Sequence, residues 1–583
     1  MKSLLALLPY CKPYKMQFLF GIIFVLIAKA LDVVAPKLVG DAINMIDAGS
    51  ANLEELPSFV GFILVVSALA GCFTYLMRRV LIDTSRDIEF DFRNSVYKKL
   101  QSLDASYYDQ NSTGDVMSRM TNDIDVVRTL IGPAIMYTAN TVFALPLVLI
   151  AMLSLDWQTT LVGLVPMILM PFLVKFFGAK LHCYAREQQD RMGDMTTYVQ
   201  ESLSGIRVIK AYGREETYAQ GFRKENDAFV DASLKYSYIQ TLFFPSIRFT
   251  VGLGLLGILY MGGTRIVNGT MQFGDLVALV LYFGMMVFPF IAAGWVINIF
   301  QRASAAMERL QQVLNTESRI VDSAKSAEFV LPEKLDFELI NLTFRYEGAN
   351  HDALQNTTIN IPEGTRVGIV GRVGSGKSTL VHLLLRLYPV ERGMIKLGGI
   401  DLNDWPLVEL RRQVGIVFQE TVLFSNSIAK NIRFGALQDL TLDDIQRVAT
   451  IADVHKDIQD FPKAYDTMLG ERGINLSGGQ KQRVSLARTI SRNSRLLILD
   501  DSLSAVDTHT EEAILKELSE VMKNRTTFLI SHRISTVALS DVVIVLEDGK
   551  IIQQGTHEQL LQQEGLYKEL FEKQQLEAEV LLA

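Results

Sequence analysis

The sequence predicts an α-helical membrane unit followed by an α/β domain, and three observations carry that expectation. Up to about Gln301 the chain holds six apolar stretches, each near the roughly 20 helical residues needed to cross a bilayer core of about 30 Å. Beyond Leu335 short β-type and helical segments alternate, and none of them is long and apolar enough to span. The composition fits two unlike halves: 583 residues exceed one ordinary domain, and 49% hydrophobic with 21% charged residues is too apolar for a wholly soluble chain yet too charged for a purely membranous one. A net charge of -7 gives no basic footprint, so no nucleic-acid partner is expected. Cys11, Cys72 and Cys183 are odd in number and far apart, without disulfide or metal-ligand spacing.

The opening stretch Lys2 to Leu8 is interrupted by Pro9 and Lys12 and is followed by no small-residue cleavage site, which reads as an amphipathic surface helix or a plain tail rather than a signal peptide. The spans are expected at Phe18 to Gly40, Phe59 to Leu81, Leu130 to Leu155, Trp157 to Phe177, Pro245 to Ile266 and Leu276 to Phe300. Short links at Asp41 to Ser58, Asp156 and Val267 to Asp275 contain no Lys or Arg, whereas the long stretches Ile82 to Thr129 and Gly178 to Phe244 are rich in both. Basic residues favour the cytoplasmic side, so the long stretches, both termini and the α/β domain are placed in the cytoplasm; the expected location is multi-pass in the inner membrane.

Each long stretch reads as two helical arms broken by a turn-like cluster, Asp109 to Gly114 in one and Tyr212 to Glu216 in the other. Tyr107, Tyr108 and Tyr212 are candidate anchors for docking such a turn on the α/β domain; the alternative is a solvated hairpin. Lys29 and Asp32, three apart in the first span, are costly in lipid and mark either a substrate route or a structural pair between helices. Met285, Met286 and Phe288 offer an adaptable apolar surface or simple packing.

In the α/β domain, the β-type run Val367 to Gly371 leads into Gly374-Ser375-Gly376-Lys377-Ser378-Thr379 and then an apolar helix. The glycines let backbone N–H groups wrap a phosphate, Lys377 reaches the β- and γ-phosphates, and the Ser378 hydroxyl can ligate Mg²⁺. Leu496 to Leu499 is an apolar strand ending in Asp500, a second Mg²⁺ handle. Together these define a P-loop NTPase domain.

Leu476-Ser477-Gly478-Gly479-Gln480, lying before Asp500 and followed by an Arg-containing helix, sets the kind of P-loop protein. With it the whole chain resembles the ATP-binding cassette (ABC) exporters. The resemblance implies that Ser477, Gly478, Gly479 and Gln480 cap the γ-phosphate of ATP held by a second half-transporter. It implies further that Tyr346 stacks on adenine, that Gln419 touches Mg²⁺, that Glu471 and Asp507 serve contact segments, and that His532 senses the γ-phosphate. The expected partition is 1–315 for the membrane domain, 316–334 for a linker and 335–583 for the ABC ATPase domain.

One position departs from the family: Asp501 stands where a glutamate usually polarises the attacking water. One methylene less withdraws the carboxylate by about 1.5 Å, and a misplacement of about 1 Å can cost about a hundredfold. The resemblance then implies a site that binds ATP and hydrolyses it slowly, in a heterodimer whose other chain supplies the glutamate; a homodimer tolerating aspartate is the alternative. The expected activity is ATP-driven export or flipping of an amphipathic or hydrophobic molecule such as a drug, lipid or peptide, against the alternative of an ATP-gated channel or regulator.

Overall fold

The computed structural model describes residues 2–47, 56–324, 328–470 and 473–582. These form two compact units: Met1–Gln101 with Thr113–Thr316, and Ser102–Ser112 with Glu317–Ala583. Glu471, singled out by the family resemblance, lies outside the described residues.

In the first unit, six helices long and apolar enough to cross a membrane run over Ser3–Asp47, Leu56–Ser102, Thr113–Leu155, Trp157–Ser204, Glu215–Val267 and Phe273–Asn315. At 43 to 53 residues each, they extend well past the roughly 20 that lipid requires, so the predicted arms are continuations of the spans. The residues ahead of the span start expected at Phe18 are helical from Lys2. Leu7 is buried, the Tyr14 hydroxyl donates to Asp91 at 2.9 Å, and Gln311 donates to the Ser3 carbonyl at 3.1 Å, so this segment is packed rather than a loose tail.

Lipid tails are as apolar as leucine, so membrane helices associate through close packing and polar contacts. The first and sixth helices touch backbone to backbone. A Cβ on Gly274 would lie 1.9 Å from the Gly40 carbonyl oxygen, and the Gly274 N–H donates to Asn44 at 2.6 Å. The fourth and fifth helices approach likewise at Gly163 and Gly254, where a Cβ on Gly254 would meet the Gly163 carbonyl at 2.8 Å. Gly274→Val is expected to cost about 1–3 kcal/mol by overpacking, read as a lowered thermal midpoint and a smaller monodisperse fraction in detergent; an unchanged melt would remove this contact from the set that holds the helices.

Several charges inside this unit are paired. Lys29 and Asp32 bond at 2.7 Å along their own helix, not across two helices. Asp156 caps the fourth helix through the Thr159 N–H at 2.7 Å and pairs with Arg265, at the end of the fifth, at 2.8 Å. Arg309 on the sixth helix grips Asp123 on the third through two bonds of 2.9 and 2.5 Å. The third helix contains two π-type segments, Arg119–Asp123 and Leu130–Ala134. Pro133 in the second cannot donate to the ladder, which favours such a local widening. Met286 is buried in the core of this unit, whereas Phe288 is exposed and leans on Tyr137.

The second unit is built on two sheets. Strands β1 (Phe337–Phe344), β2 (Leu354–Ile361), β4 (Ile395–Leu397) and β5 (Ile400–Asp401) form an antiparallel sheet in the order β2-β1-β4-β5. Strands β3 (Arg366–Gly371), β6 (Val414–Val417), β7 (Leu496–Asp500), β8 (Thr526–Ile530), β9 (Val542–Glu547) and β10 (Lys550–Gly555) form a second in the order β10-β9-β3-β8-β7-β6. Its neighbours are parallel except β9 and β10. Both β7 and β8 are buried along their whole length, as sequences apolar or β-branched up to the closing Asp500 of β7 suit strands covered on two faces.

The segment Ser102–Ser112 belongs to this second unit although it interrupts the first in sequence. It carries a short helix, Ala105–Gln110, which takes in Asp109 and Gln110 of the predicted turn cluster. Ala105 packs on the core around Leu385 and Tyr388, and the Tyr388 hydroxyl donates to Asp109 at 2.7 Å. The other long stretch turns through Gly205 and the helix Ile206–Ala211, which exposes Ile206, Val208 and the following Tyr212.

Candidate active site

Parallel strands deliver their C-terminal ends to one edge of a sheet, where α/β folds bind ligands. Here the order β6-β7-β8-β3 sets four loops side by side. Gln419 follows β6, Asp500 and Asp501 end and follow β7, His532 follows β8, and the glycine-rich loop follows β3. The phosphate-handling candidates named from the sequence therefore converge, with the exception of Ser477 to Gln480.

The loop after β3 needs its glycines for different reasons. A Cβ on Gly371 would sit 2.1 Å from the Leu546 carbonyl oxygen, so the strand end tolerates no side chain. Gly374 and Gly376 have φ of 83° and 98°, in the left-handed region that glycine enters without strain. The helix Lys377–Leu384 then opens with no side-chain cap, which leaves its first-turn amides for an anion. Lys377 is buried and donates to the carbonyls of Gly371 and Arg372 at 2.9 and 2.8 Å. Burial pushes its pKa down, against the pull of Asp500 and Asp501, so an incoming anionic group would relieve a desolvated ammonium.

Asp500 is 2% exposed. Burial raises its pKa, and a hydrogen bond from Ser378 is the largest influence in the other direction. A buried carboxylate beside a hydroxyl is an oxygen pair suited to a hard divalent cation, so these residues fit Mg²⁺. Gln419 is exposed on the neighbouring loop. Asp501 has a φ of 46°; its N–H donates to the Ile530 carbonyl at 2.8 Å, and its own carbonyl accepts from the Ser504 N–H and hydroxyl at 3.3 and 3.0 Å. Aspartate enters this left-handed region more readily than longer side chains do, because its short polar group can bond locally.

In the first turn of the P-loop helix, Thr379 accepts from the Tyr346 hydroxyl at 3.2 Å, and the Tyr346 ring meets Phe344 and Tyr388 edge-on at 5.0 and 5.1 Å. Burial raises the pKa of Tyr346. The involvement of Tyr388 escaped sequence reasoning, because no spacing relates a tyrosine after the helix to one just past a strand before it. His382 was missed too; burial lowers its pKa in spite of nearby Asp500.

Ser477 starts the helix Gly478–Ser491 with a reciprocal cap: its hydroxyl oxygen accepts from the Gln480 N–H at 3.2 Å, and its own N–H donates to the Gln480 side chain at 3.0 Å. Ser477 and Gly478 are exposed, and among the described residues no hydrogen bond joins Ser477 to Gln480 with the P-loop. The result is an exposed helix start, whose positive end favours an anion. Gln482 on the same helix accepts from the Ala505 N–H at 3.0 Å and donates to Ser504 at 3.1 Å, which props the loop running to Asp507. Asp507 in turn caps the helix Thr508–Met522 through the Thr510 N–H at 3.0 Å, and that bond holds its pKa down.

Residues 18–290 match the family described as ABC transporter transmembrane region, and residues 354–504 match the family described as ABC transporter. The chain is 34% identical to the probable multidrug resistance ABC transporter ATP-binding/permease protein YheI of Bacillus subtilis (strain 168), over 97% of each chain. It is 33% identical to the ATP-dependent lipid A-core flippase of Syntrophus aciditrophicus (strain SB), over 97% of this chain and 94% of that one. A solved bacterial Atm1-family ABC exporter with ATP bound superposes with a TM-score of 0.78 at 26% identity, covering 96% of this chain and 98% of the other. A six-helix membrane unit, an α/β unit with a P-loop, and likeness along nearly the full length converge on one conclusion: the chain belongs to the ABC exporters, as a multi-pass ATPase half-transporter that couples ATP to export.

Proposed function

We propose that this chain exports an amphipathic or hydrophobic molecule such as a drug, lipid or peptide, or flips it between leaflets, as one of two half-transporters in the cytoplasmic membrane. The relatives named for multidrug resistance and for lipid A-core flipping support that substrate class. The basic long stretches support a cytoplasmic ATPase unit and cytoplasmic termini. Functionally, 1–315 acts as the membrane domain, 316–334 as linker and 335–583 as the ATPase domain.

ATP lies with its phosphates on Gly371 to Thr379 and its adenine on Tyr346. Ser378, Gln419 and Asp500 would hold Mg²⁺, which when bound neutralises phosphate charge. His532 contacts the γ-phosphate. Ser477 to Gln480 reach the nucleotide of the partner chain, a reading favoured by their exposed helix start. Two such units then close head to tail around ATP, and closure drives the membrane helices between inward and outward openings.

The observation that carries the finer reading is Asp501, one methylene short of the usual base. Its site binds nucleotide and turns it over slowly, and this chain's Ser477 to Gln480 complete the competent site of a partner that supplies glutamate. Purified alone, the chain is expected to bind ATP with turnover near background. Robust ATPase activity abolished by Asp501→Asn would overturn the slow site and favour a homodimer with two equivalent sites.

Transmission needs a mechanical joint. The ATPase unit has an open groove of about 720 Å³, lined by Leu387, Phe418, Val422, Phe424, Phe434 and Arg488 among others. Arg488 donates to the Val422 and Asn431 carbonyls at 2.9 Å each, lies over the rings of Phe424 and Phe434, and has its pKa lowered to about 10 by burial. The turn helix Ile206–Ala211 of the partner chain, with Ile206, Val208 and Tyr212 exposed, has the apolar face such a groove takes. Tyr212→Ala is expected to lower transport about tenfold, as loss of one buried aromatic anchor does, while ATPase activity persists. Transport and hydrolysis falling in parallel would argue against this joint.

A further inference from the structure

The segment Ser531 to Arg533, between β8 and the short helix Ile534–Val537, belongs to neither strand nor helix. Its backbone groups therefore need partners from elsewhere. The Arg533 N–H finds the Ser531 hydroxyl at 3.0 Å, and no side chain of its own segment caps the helix that begins at Ile534. Such a helix start leaves orphan N–H groups. The buried Ile534 N–H and the carbonyl of His532 are both met by one side chain on the C-terminal helix Leu566–Leu582. Gln574 Oε1 accepts from the Ile534 N–H at 2.9 Å, and Gln574 Nε2 donates to the His532 carbonyl at 2.6 Å. A primary amide is suited to this task, because it presents an acceptor and a donor side by side in one plane.

We propose that Gln574 is a positioning residue for His532, holding the turn that carries the histidine at the height where its ring meets the γ-phosphate. This deepens, and rests on, the reading of His532 as the γ-phosphate contact. The helix carrying Gln574 is itself anchored. Leu566 and Tyr567 are buried in a cluster with Val370 on β3 and with Ile534, and Leu570 and Phe571 pack against it. Glu569 on the same helix pairs at 3.3 Å with Arg372, in the glycine-rich loop. The C-terminal helix thus touches two of the loops that converge on the site. On its other side lies an open cleft of about 1050 Å³ lined by Glu511, Lys516, Arg533, Phe571 and Gln574 among others. Gln574 therefore reaches His532 by hydrogen bonding at the rim of a cleft rather than by filling a core.

A double-mutant cycle on the full-length chain in lipid nanodiscs tests this, run in a shared Asp501→Glu background so that turnover is measurable. Gln574→Leu removes both bonds. It is expected to lower kcat about tenfold, a misplacement effect, with the KM for ATP within about twofold, and to raise deuterium uptake in the peptide spanning Ser531 to Val537. Gln574→Glu keeps the acceptor for Ile534 and loses the donor, so it should fall between; it also serves if the leucine variant does not fold. Added to His532→Ala, either substitution should lower kcat no further, because its effect passes through the histidine. If His532→Ala is damaging and Gln574→Leu leaves kcat unchanged, or if the two losses multiply, the positioning role is wrong. If His532→Ala is itself harmless, the assignment of the histidine fails instead.

Discussion

Asp501→Glu is expected to raise ATP turnover at this chain's own site by about ten- to a hundredfold, because a general base must come within about 2.6 to 3.2 Å of the water it activates. The chemistry of the group is unchanged and only its reach grows, so the gain belongs in kcat with little change in nucleotide affinity. The backbone works against the replacement. Residue 501 has a φ of 46°, pinned by the Ile530 carbonyl on one side and Ser504 on the other. Glutamate is less at home there than aspartate, so the variant should lose up to about 1 kcal/mol of stability. Faster turnover with a slightly lower melting temperature is the combined signature, measured by coupled-enzyme assay and thermal denaturation on one preparation. Equal turnover in both forms would show that side-chain reach is not what limits this site.

Lys377→Ala is expected to reduce ATP-driven transport to background when the partner's P-loop lysine is also replaced. Charge-assisted hydrogen bonds contribute about 1.5–3 kcal/mol each, so losing the contacts to two phosphates predicts at least a hundredfold loss in kcat/KM. Stability without nucleotide should not follow. Lys377 is a buried ammonium satisfied by loop carbonyls, and burial already depresses its pKa. Removing it therefore removes a desolvation penalty along with those bonds. The nucleotide-free melting temperature is expected to stay level or rise, while the upward shift caused by ATP disappears. Transport at full rate in the doubly substituted protein would overturn the ATP-driven mechanism.

The membrane helices were legible because the bilayer imposes a length and a polarity that one window of sequence can display. The helix around Val148 and Met152 is apolar on every side, and nothing but lipid or a buried core asks that of so long a run. The placement of the P-loop was legible for a related reason: Val367 to Gly371 is a buried strand whose end admits no Cβ, and Gly374 and Gly376 stand where φ is positive. Long-range pairings were not legible. Nothing in the spacing of Gly40 and Gly274, Asp156 and Arg265, or Asp123 and Arg309 announces that they meet, since each depends on how whole helices pack. Lys29 and Asp32 show the converse: their spacing put them on one side of one helix, but left open a substrate route or a pair between helices, and they bond to each other along that helix. The left-handed backbone at Asp501 and the reach of Gln574 to His532 were equally hidden, because both are settled by the fold around a turn.

The Tyr388 to Asp109 bond joins residues 279 positions apart in the chain. Translation at about 5–20 residues per second puts roughly 15 to 55 s between the ribosome's delivery of Asp109 and of Tyr388. Throughout that interval the tip around Ala105 has no seat, and the nascent polypeptide must carry it bare while later membrane segments are still being inserted. A message truncated before codon 388 would leave that tip permanently unseated, a ready mark for quality-control proteases.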